Sequence, residues 1–407
     1  MKLEISNFYN AFKLLSEIIH PSPLIKNQRL SDEYGANIFL KLENMLPVGS
    51  FKMRGASYKI SQLSDEQKRR GVLAVSAGNH AQGVAWASEK FGSEALIIMP
   101  TPSPLTKINR TQSLGAEVIL HGENVDECFE YAKAYLKNHD LTYIPPFEDE
   151  DVIAGQGSVA FEILDQLKNV DFVFGSIGGG GLMSGVGTVF KELSPKTQIM
   201  GSQSSGARSM VESLKAGKIV VPRFEDTFAD GVKVKKASET MRKILARVVD
   251  EAIHVPDSEI AMAILALLEK AHLQTEGAGA LPLAMFHNLY KQDPTRFEGK
   301  NVVLIICGGN IDINLIGRIV DIGLVASGRR ASFRVYMADR PGSLAYLSQK
   351  IADCGANILQ VQHDRRSPRA HLNEAIIDVT IETKGANHLN SVYEKMKKEF
   401  NHIEKID

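Results

Sequence analysis

The stretch VFGSIGGGGLMSG, Val173 to Gly185, sets four consecutive glycines between an apolar run and the start of a helical pattern. Glycine loses more backbone freedom on folding than any other residue, so four in a row destabilise the chain unless the junction needs a backbone without Cβ atoms. A tight turn with close helix packing explains one or two of them. A bound anion explains all four, because the N–H groups of a helix N-terminus offer a ready-made anion site.

Around this junction, short β-rich runs alternate with helical patterns. NIFLKLEN, VLAVSA, EALIIMP, AEVILHG, LTYIPP, VDFVFGSIG, QIMGSQ, EAIHVP and NVVLIICGG read as strands, most of them apolar on both faces. HAQGVAWASEKFG, NVDECFEYAKAYLKNHD and DSEIAMAILALLEKAH repeat their apolar residues at three and four, as helices do. Buried strands alternating with crossover helices imply a parallel α/β sheet covered on both sides. In such sheets ligands lie beyond the carboxyl ends of the strands. Two further loops are expected there, on the same side of the sheet as the glycines. GSFKMRGA places Lys52 in a turn, and SAGNHAQG places Ser76, Gly78, Asn79 and His80 at a strand end. Taken singly, Lys52 reads as a surface charge, and Asn79 and His80 as a helix cap and first-turn residue.

The 407 residues exceed one ordinary core and imply two or three domains. Lys and Arg number 47 against 48 Asp and Glu, for a net charge of -1. That balance removes the electrostatic reason to expect nucleic acid or an anionic membrane, and a small-molecule partner is expected instead. Cys128, Cys307 and Cys354 are too few and too scattered for a disulfide framework or a zinc site, which fits a reducing cytoplasm. The N-terminus mixes charges into an amphipathic pattern, and no apolar run approaches the ~18 residues of a membrane span. The pattern changes near residue 326. From there strand, helix, strand, strand, helix and a last short strand are expected, in the order of a ferredoxin-like α+β domain.

SPL, KLEN, GSFKMRGA, SAGNHAQG, AGQGS, the tetraglycine, ADGVKV, EGAGA and CGGN follow one another in this order. The chain therefore resembles the fold-type II pyridoxal-phosphate (PLP) enzymes, and within them the threonine dehydratases and their relatives the serine racemases and serine dehydratases. The match spans nearly the whole chain; an SI lead-in to the glycines and Ser158, where Thr is frequent, are its small departures. The resemblance implies two-lobed open sheets over residues 1–325, with a smaller lobe at about 50–150. It implies that Lys52 carries PLP and that Gly178, Gly179, Gly180, Gly181 and Leu182 cradle the phosphate. It also implies that Phe51 packs on the ring, that Asn79 bonds the ring O3′, and that Cys307 lies at the pyridine nitrogen. Ser76, Gly78, Asn79 and His80 would hold the substrate carboxylate. A thiol of ordinary pKa near ~8.5 cannot keep a pyridine protonated, so the ring would stay largely neutral. The implied activity is dehydration and deamination of L-threonine to 2-oxobutanoate and ammonia, with side activity on L-serine, in amino-acid metabolism such as isoleucine biosynthesis.

A serine racemase would need a second acid, supplied in those relatives by a Ser before GNH; here Ala77 stands there. Their divalent-cation ligands are replaced by Gln203 and Ser209, so no metal is expected at that position. A hydroxyaspartate dehydratase, with Arg110 serving the extra carboxylate, is an alternative, and Phe147 is a candidate for apolar surface near the substrate. ADRPGSLAYLSQKIADCGANI resembles the start of an ACT domain, placed at 331–407, with Asp339, Arg340, Pro341 and Gly342 in its first turn. That resemblance implies an amino-acid effector, allosteric control and a homodimer or homotetramer. A reading of a different class is a non-catalytic amino-acid sensor.

Overall fold

The computed structural model describes residues 1–367, 371 and 373–406; Asp407, the last residue of the expected ACT span, lies outside them. The chain divides into two compact units, Met1–Ile313 and Asn314–Asp407.

The first unit holds two sheets, as the resemblance implied, where the alternation of strands and helices alone suggested one. The larger joins β1 (Leu24–Lys26), β2 (Asn37–Lys41), β7 (Phe172–Ser176), β8 (Gln198–Ser204), β9 (Glu251–Val255) and β10 (Asn301–Ile305) in the order β1-β2-β10-β7-β8-β9. Only the β1 pairing is antiparallel. The smaller joins β3 (Val72–Val75), β4 (Ala95–Met99), β5 (Glu117–Leu120) and β6 (Thr142–Tyr143) in the order β5-β4-β3-β6, all parallel. Central β7 is buried at every residue and β10 at every residue after Asn301, as strands covered on both faces are. LTYIPP gives only the two-residue edge strand β6, since Pro145 and Pro146 have no N–H for the ladder.

The three expected ligand loops therefore belong to different sheets. The glycine loop follows β7 of the larger sheet, and SAGNHAQG follows β3 of the smaller. Lys52 does not sit in a turn: it is the first residue of helix α1 (Lys52–Ser61). The other helices around the site are α2 (Asn79–Lys90), α3 (Leu105–Ser113), α4 (Glu150–Gln166), α5 (Gly181–Leu193) and α6 (Gly277–Gln292).

One knot of buried charge ties β2, α1 and α4 together. Arg54 Nε donates to Glu43 Oε2 at 2.7 Å and Arg54 Nη1 to Glu162 Oε1 at 2.6 Å, while Lys41 Nζ donates to Glu162 Oε2 at 2.6 Å. None of these four side chains is more than 6% exposed. Ser22 Oγ donates to Glu43 Oε1 at 2.6 Å, and Ser158 Oγ accepts from Arg54 at 3.1 Å. Burial pushes the Glu162 carboxyl up, but Arg54 and Lys41 outweigh it and hold the group below its ordinary value.

The second unit is an antiparallel sheet of β11 (Arg330–Ala338), β12 (Asn357–Asp364), β13 (Glu374–Glu382) and β14 (Ile403–Lys405) in the order β12-β13-β11-β14. Its helices α7 (Ser343–Asp353) and α8 (Ala386–Glu399) give the strand and helix order read from the sequence. Phe333, Val335, Ile377, Val379 and Ile381 alternate inward against Leu347, Ile351, Val392 and Met396 of the helices. Gly342 caps α7 at φ +93°, a conformation that glycine takes without strain.

Glu162→Ala is expected to lower stability by about 3–5 kcal/mol, because it leaves two buried cations facing one carboxylate. Urea unfolding of the variant beside the parent measures this; a loss below roughly 1 kcal/mol, the scale of a surface pair, would contradict the role given to the knot.

Candidate active site

At the end of β7, Ile177 N–H still donates across to Ser202 O at 2.7 Å, and the chain then leaves the sheet through the four glycines. Gly180 is the N-cap of α5 at φ +100°, and no side chain caps the helix. The N–H groups of its first turn thus have neither an intrahelical nor a capping acceptor, and the helix dipole favours an anion there. Phe147 packs directly on this loop: a Cβ on Gly179 would lie 2.2 Å from the Phe147 ring, and one on Gly181 would lie 3.1 Å from its Cβ.

The residue before Phe147 faces Lys52. Lys52 Nζ donates to Pro146 O at 2.7 Å and lies 5.4 Å from the centre of the Phe51 ring. Burial pulls the amine down to about 8, against the opposing effects of Cys307 and Glu276. A lysine in this state is uncharged for part of the time near neutral pH, as a base or nucleophile requires.

Cys307 lies just beyond β10, next to the end of β7, with its Sγ 3.2 Å from Ser176 Oγ. Burial and the Glu276 charge push its thiol up to about 12, so it is a neutral group. Phe51 N–H donates to Cys307 O at 3.0 Å, which joins the lysine segment to this strand end.

From the smaller sheet, Ser76 Oγ accepts the N–H of Gly78 at 3.1 Å, and Gly78 opens α2. Asn79 Nδ2 donates to Glu276 Oε1 at 2.7 Å. His80 is buried, with Nε2 2.9 Å from Ile144 O. The carbonyl can only accept, so the ring donates through Nε2. Burial and the nearby Lys52 pull this imidazole down to about 3. His80 thus has a main-chain N–H to offer a substrate, not a charge.

Glu276 escaped the sequence reading, although the EGAGA motif contains it. It immediately precedes α6, its N–H donates to Gly308 O at 3.2 Å, and burial pushes its carboxyl up to about 7. Asn310 of CGGN escaped as well: its Nδ2 donates to Asn79 Oδ1 at 2.8 Å. The only available signal was a polar residue closing or opening a run of small ones.

The structure thus brings Lys52, Phe51, Asn79, Glu276 and Cys307 together, and Phe147 connects them to the tetraglycine. Ala77 packs against an apolar cluster of the smaller lobe. Gln203 Oε1 accepts from Val211 N at 2.8 Å and Ser209 Oγ donates to Val234 O at 2.9 Å, so these groups serve the main chain. No helix among the described residues is long and apolar enough to cross a membrane.

Residues 15–308 match the family model described as pyridoxal-phosphate dependent enzyme, and residues 327–404 match that of the ACT domain. The chain is 41% identical over 390 residues to an L-threonine ammonia-lyase of Thermotoga maritima, covering 96% of each. It is 35% identical to a biosynthetic L-threonine dehydratase of Bacillus subtilis, covering 99% of this chain and 95% of that one. Among solved structures, the processed form of threonine deaminase isoform 2 from Solanum lycopersicum superposes with a TM-score of 0.74 at 36% identity, over 78% of this chain and 88% of that one. The chain belongs to the pyridoxal-phosphate dependent enzymes and ends in an ACT domain.

The Glu276 carboxyl sits at about 7 instead of its ordinary 4.5, so between those values the folded chain holds more protons than the unfolded one. Stability should therefore fall as pH rises through this window. Glu276→Gln is expected to flatten that slope relative to the parent in urea unfolding from pH 4.5 to 7; an identical slope in both proteins would contradict the assignment.

Proposed function

We propose that the chain is an L-threonine ammonia-lyase, in which the groups just described hold pyridoxal phosphate and the amino acid. The cofactor fits the residues present. The uncapped turn of Gly178, Gly179, Gly180, Gly181 and Leu182 suits its phosphate, and the desolvated amine of Lys52 suits its covalent attachment. Phe51 offers a face to its ring, Asn79 an amide N–H, and Cys307 a neutral partner for its pyridine nitrogen. When bound, the cofactor supplies the electron sink that acidifies the Cα–H of an amino acid.

The protein's part is positioning and proton transfer. Ser76 and the main-chain N–H groups of Gly78, Asn79 and His80, at the start of α2, hold the substrate carboxylate. Lys52 Nζ, pulled down to about 8, removes the Cα proton as a neutral amine. The β-hydroxyl takes up the proton returned by Lys52 and departs as water; the released enamine tautomerises to its imine, which water hydrolyses to ammonia with 2-oxobutanoate from threonine or pyruvate from serine. The observation that carries this reading is a desolvated lysine amine bonded to the Pro146 carbonyl, next to the Phe147 ring that packs on an uncapped, glycine-rich helix N-terminus. Phe147 adds apolar surface that suits the threonine methyl, a preference worth only about 1–3 kcal/mol, so serine remains a slower substrate.

Ala77 has no proton to deliver to the opposite face of Cα, which disfavours racemisation. The Arg110 guanidinium donates to Asn310 Oδ1 at 2.5 Å, which disfavours its use on the second carboxylate of hydroxyaspartate. The proposal extends to residues 331–407 as a regulatory module that takes an amino-acid effector and pairs between chains of a homo-oligomer, in a cytoplasmic enzyme.

The full-length protein saturated with pyridoxal phosphate is expected to convert L-threonine to 2-oxobutanoate, with L-serine giving pyruvate more slowly. Lys52→Ala should lower the rate by at least about 10²-fold, the usual share of a proton-transfer group. Absence of a 2-oxo acid from either substrate in cofactor-loaded protein would overturn the proposal and favour the sensor reading.

A further inference from the structure

Four side chains from separate parts of the first unit form one directed line of hydrogen bonds. Arg110 of α3 donates through Nη1 to Asn310 Oδ1 at 2.5 Å. Asn310 Nδ2 donates to Val48 O and to Asn79 Oδ1, each at 2.8 Å. Asn79 Nδ2 donates to Glu276 Oε1 at 2.7 Å. An amide side chain can be turned over with little change of shape, so what matters is which neighbour forbids the other orientation. A guanidinium has only donors and a main-chain carbonyl only accepts. Asn310 meets both, so Arg110 claims its oxygen and Val48 claims its nitrogen. The second N–H of that nitrogen lies 2.8 Å from Asn79 Oδ1 and 3.3 Å from Gln82 Oε1, so the shorter bond goes to Asn79, which answers with its own oxygen.

We infer that Asn310, oriented by Arg110, is a positioning residue that fixes the amide of Asn79, keeping the Asn79 N–H that Glu276 does not use available to the ring oxygen of pyridoxal phosphate. Turning Asn79 over would set nitrogen against the Asn310 nitrogen and oxygen against the Glu276 carboxyl, and would present a lone pair to an oxygen that needs a donor. The seat for Asn310 is built into the backbone. Gly49 lies at φ +71°, and a Cβ there would come within 2.4 Å of Asn310 Oδ1. The inference rests on the proposed contact between Asn79 and the cofactor, and it gives Arg110 a role apart from any substrate carboxylate.

The test is a double-mutant cycle on full-length protein, read by the pyridoxal-phosphate dissociation constant and by the visible spectrum of the bound cofactor. Asn310→Asp keeps the shape and a partner for Arg110 but removes both N–H donors. It is expected to weaken cofactor binding by roughly tenfold, the worth of a hydrogen bond to a charged group, and to shift the spectrum in the direction seen with Asn79→Ala. In the Asn79→Ala background the same change should add less than about twofold, because its effect passes through Asn79. Arg110→Lys, which retains a donor, should stay near the parent, while Arg110→Ala shifts the spectrum part of the way. An unchanged constant and spectrum in Asn310→Asp, or a full additional effect without Asn79, overturns the inference and leaves the cofactor contact of Asn79 standing. A silent Asn79→Ala overturns that contact and the inference with it. Should Asn310→Asp not fold, the exposed Arg110→Ala decides: a parent-like spectrum overturns the inference.

Discussion

Two carboxylates and two cations, Glu43, Glu162, Lys41 and Arg54, meet where water does not reach, and everything built on α1 depends on that meeting. Charges are not buried for the stability they add, because desolvation offsets most of the attraction. Their value here is geometric. The planar guanidinium of Arg54 accepts only a narrow set of positions for its two carboxylates, which come from the turn just after β2 and from the last third of α4. Arg54 lies two residues beyond Lys52, so the knot that fixes one also fixes where the other starts.

From that anchor the site follows by short links. Lys52 reaches Pro146, Phe147 beside it covers the glycine loop, and the loop leads into a helix whose first turn lacks acceptors. Burial makes the Lys52 amine a weaker base, the Glu276 carboxyl a weaker acid and the Cys307 thiol a neutral group. The largest cause of each shift is the same, the cost of placing charge where little water reaches, and together they suit a site that moves a proton near neutral pH.

Much of this was legible in the sequence. The tetraglycine at a strand-to-helix junction, the lysine segment and the SAGNH loop were visible because glycine runs and apolar strands carry local signals. The division into two sheets came from the motif resemblance and not from the strand pattern, since a buried parallel strand reads the same in either. Glu276 was hidden for a related reason: its partner Asn79 lies 197 residues away, and a lone carboxylate before a small-residue helix has no pattern. The charged knot was hidden more deeply. Lys41, Glu43 and Arg54 read as surface residues by type, and only their encounter with Glu162 takes them inside. In the second unit, by contrast, strand alternation and turn residues are local, and the order of elements could be read directly.

The account stands on the proposal that Lys52 carries the cofactor. The most direct measurement is to load the full-length protein with pyridoxal phosphate, reduce it with borohydride, digest it and locate the pyridoxyl group by mass spectrometry. The account predicts a single stoichiometric label on Lys52. A label spread over surface lysines, or fixed at another lysine with Lys52 unmodified, would contradict it.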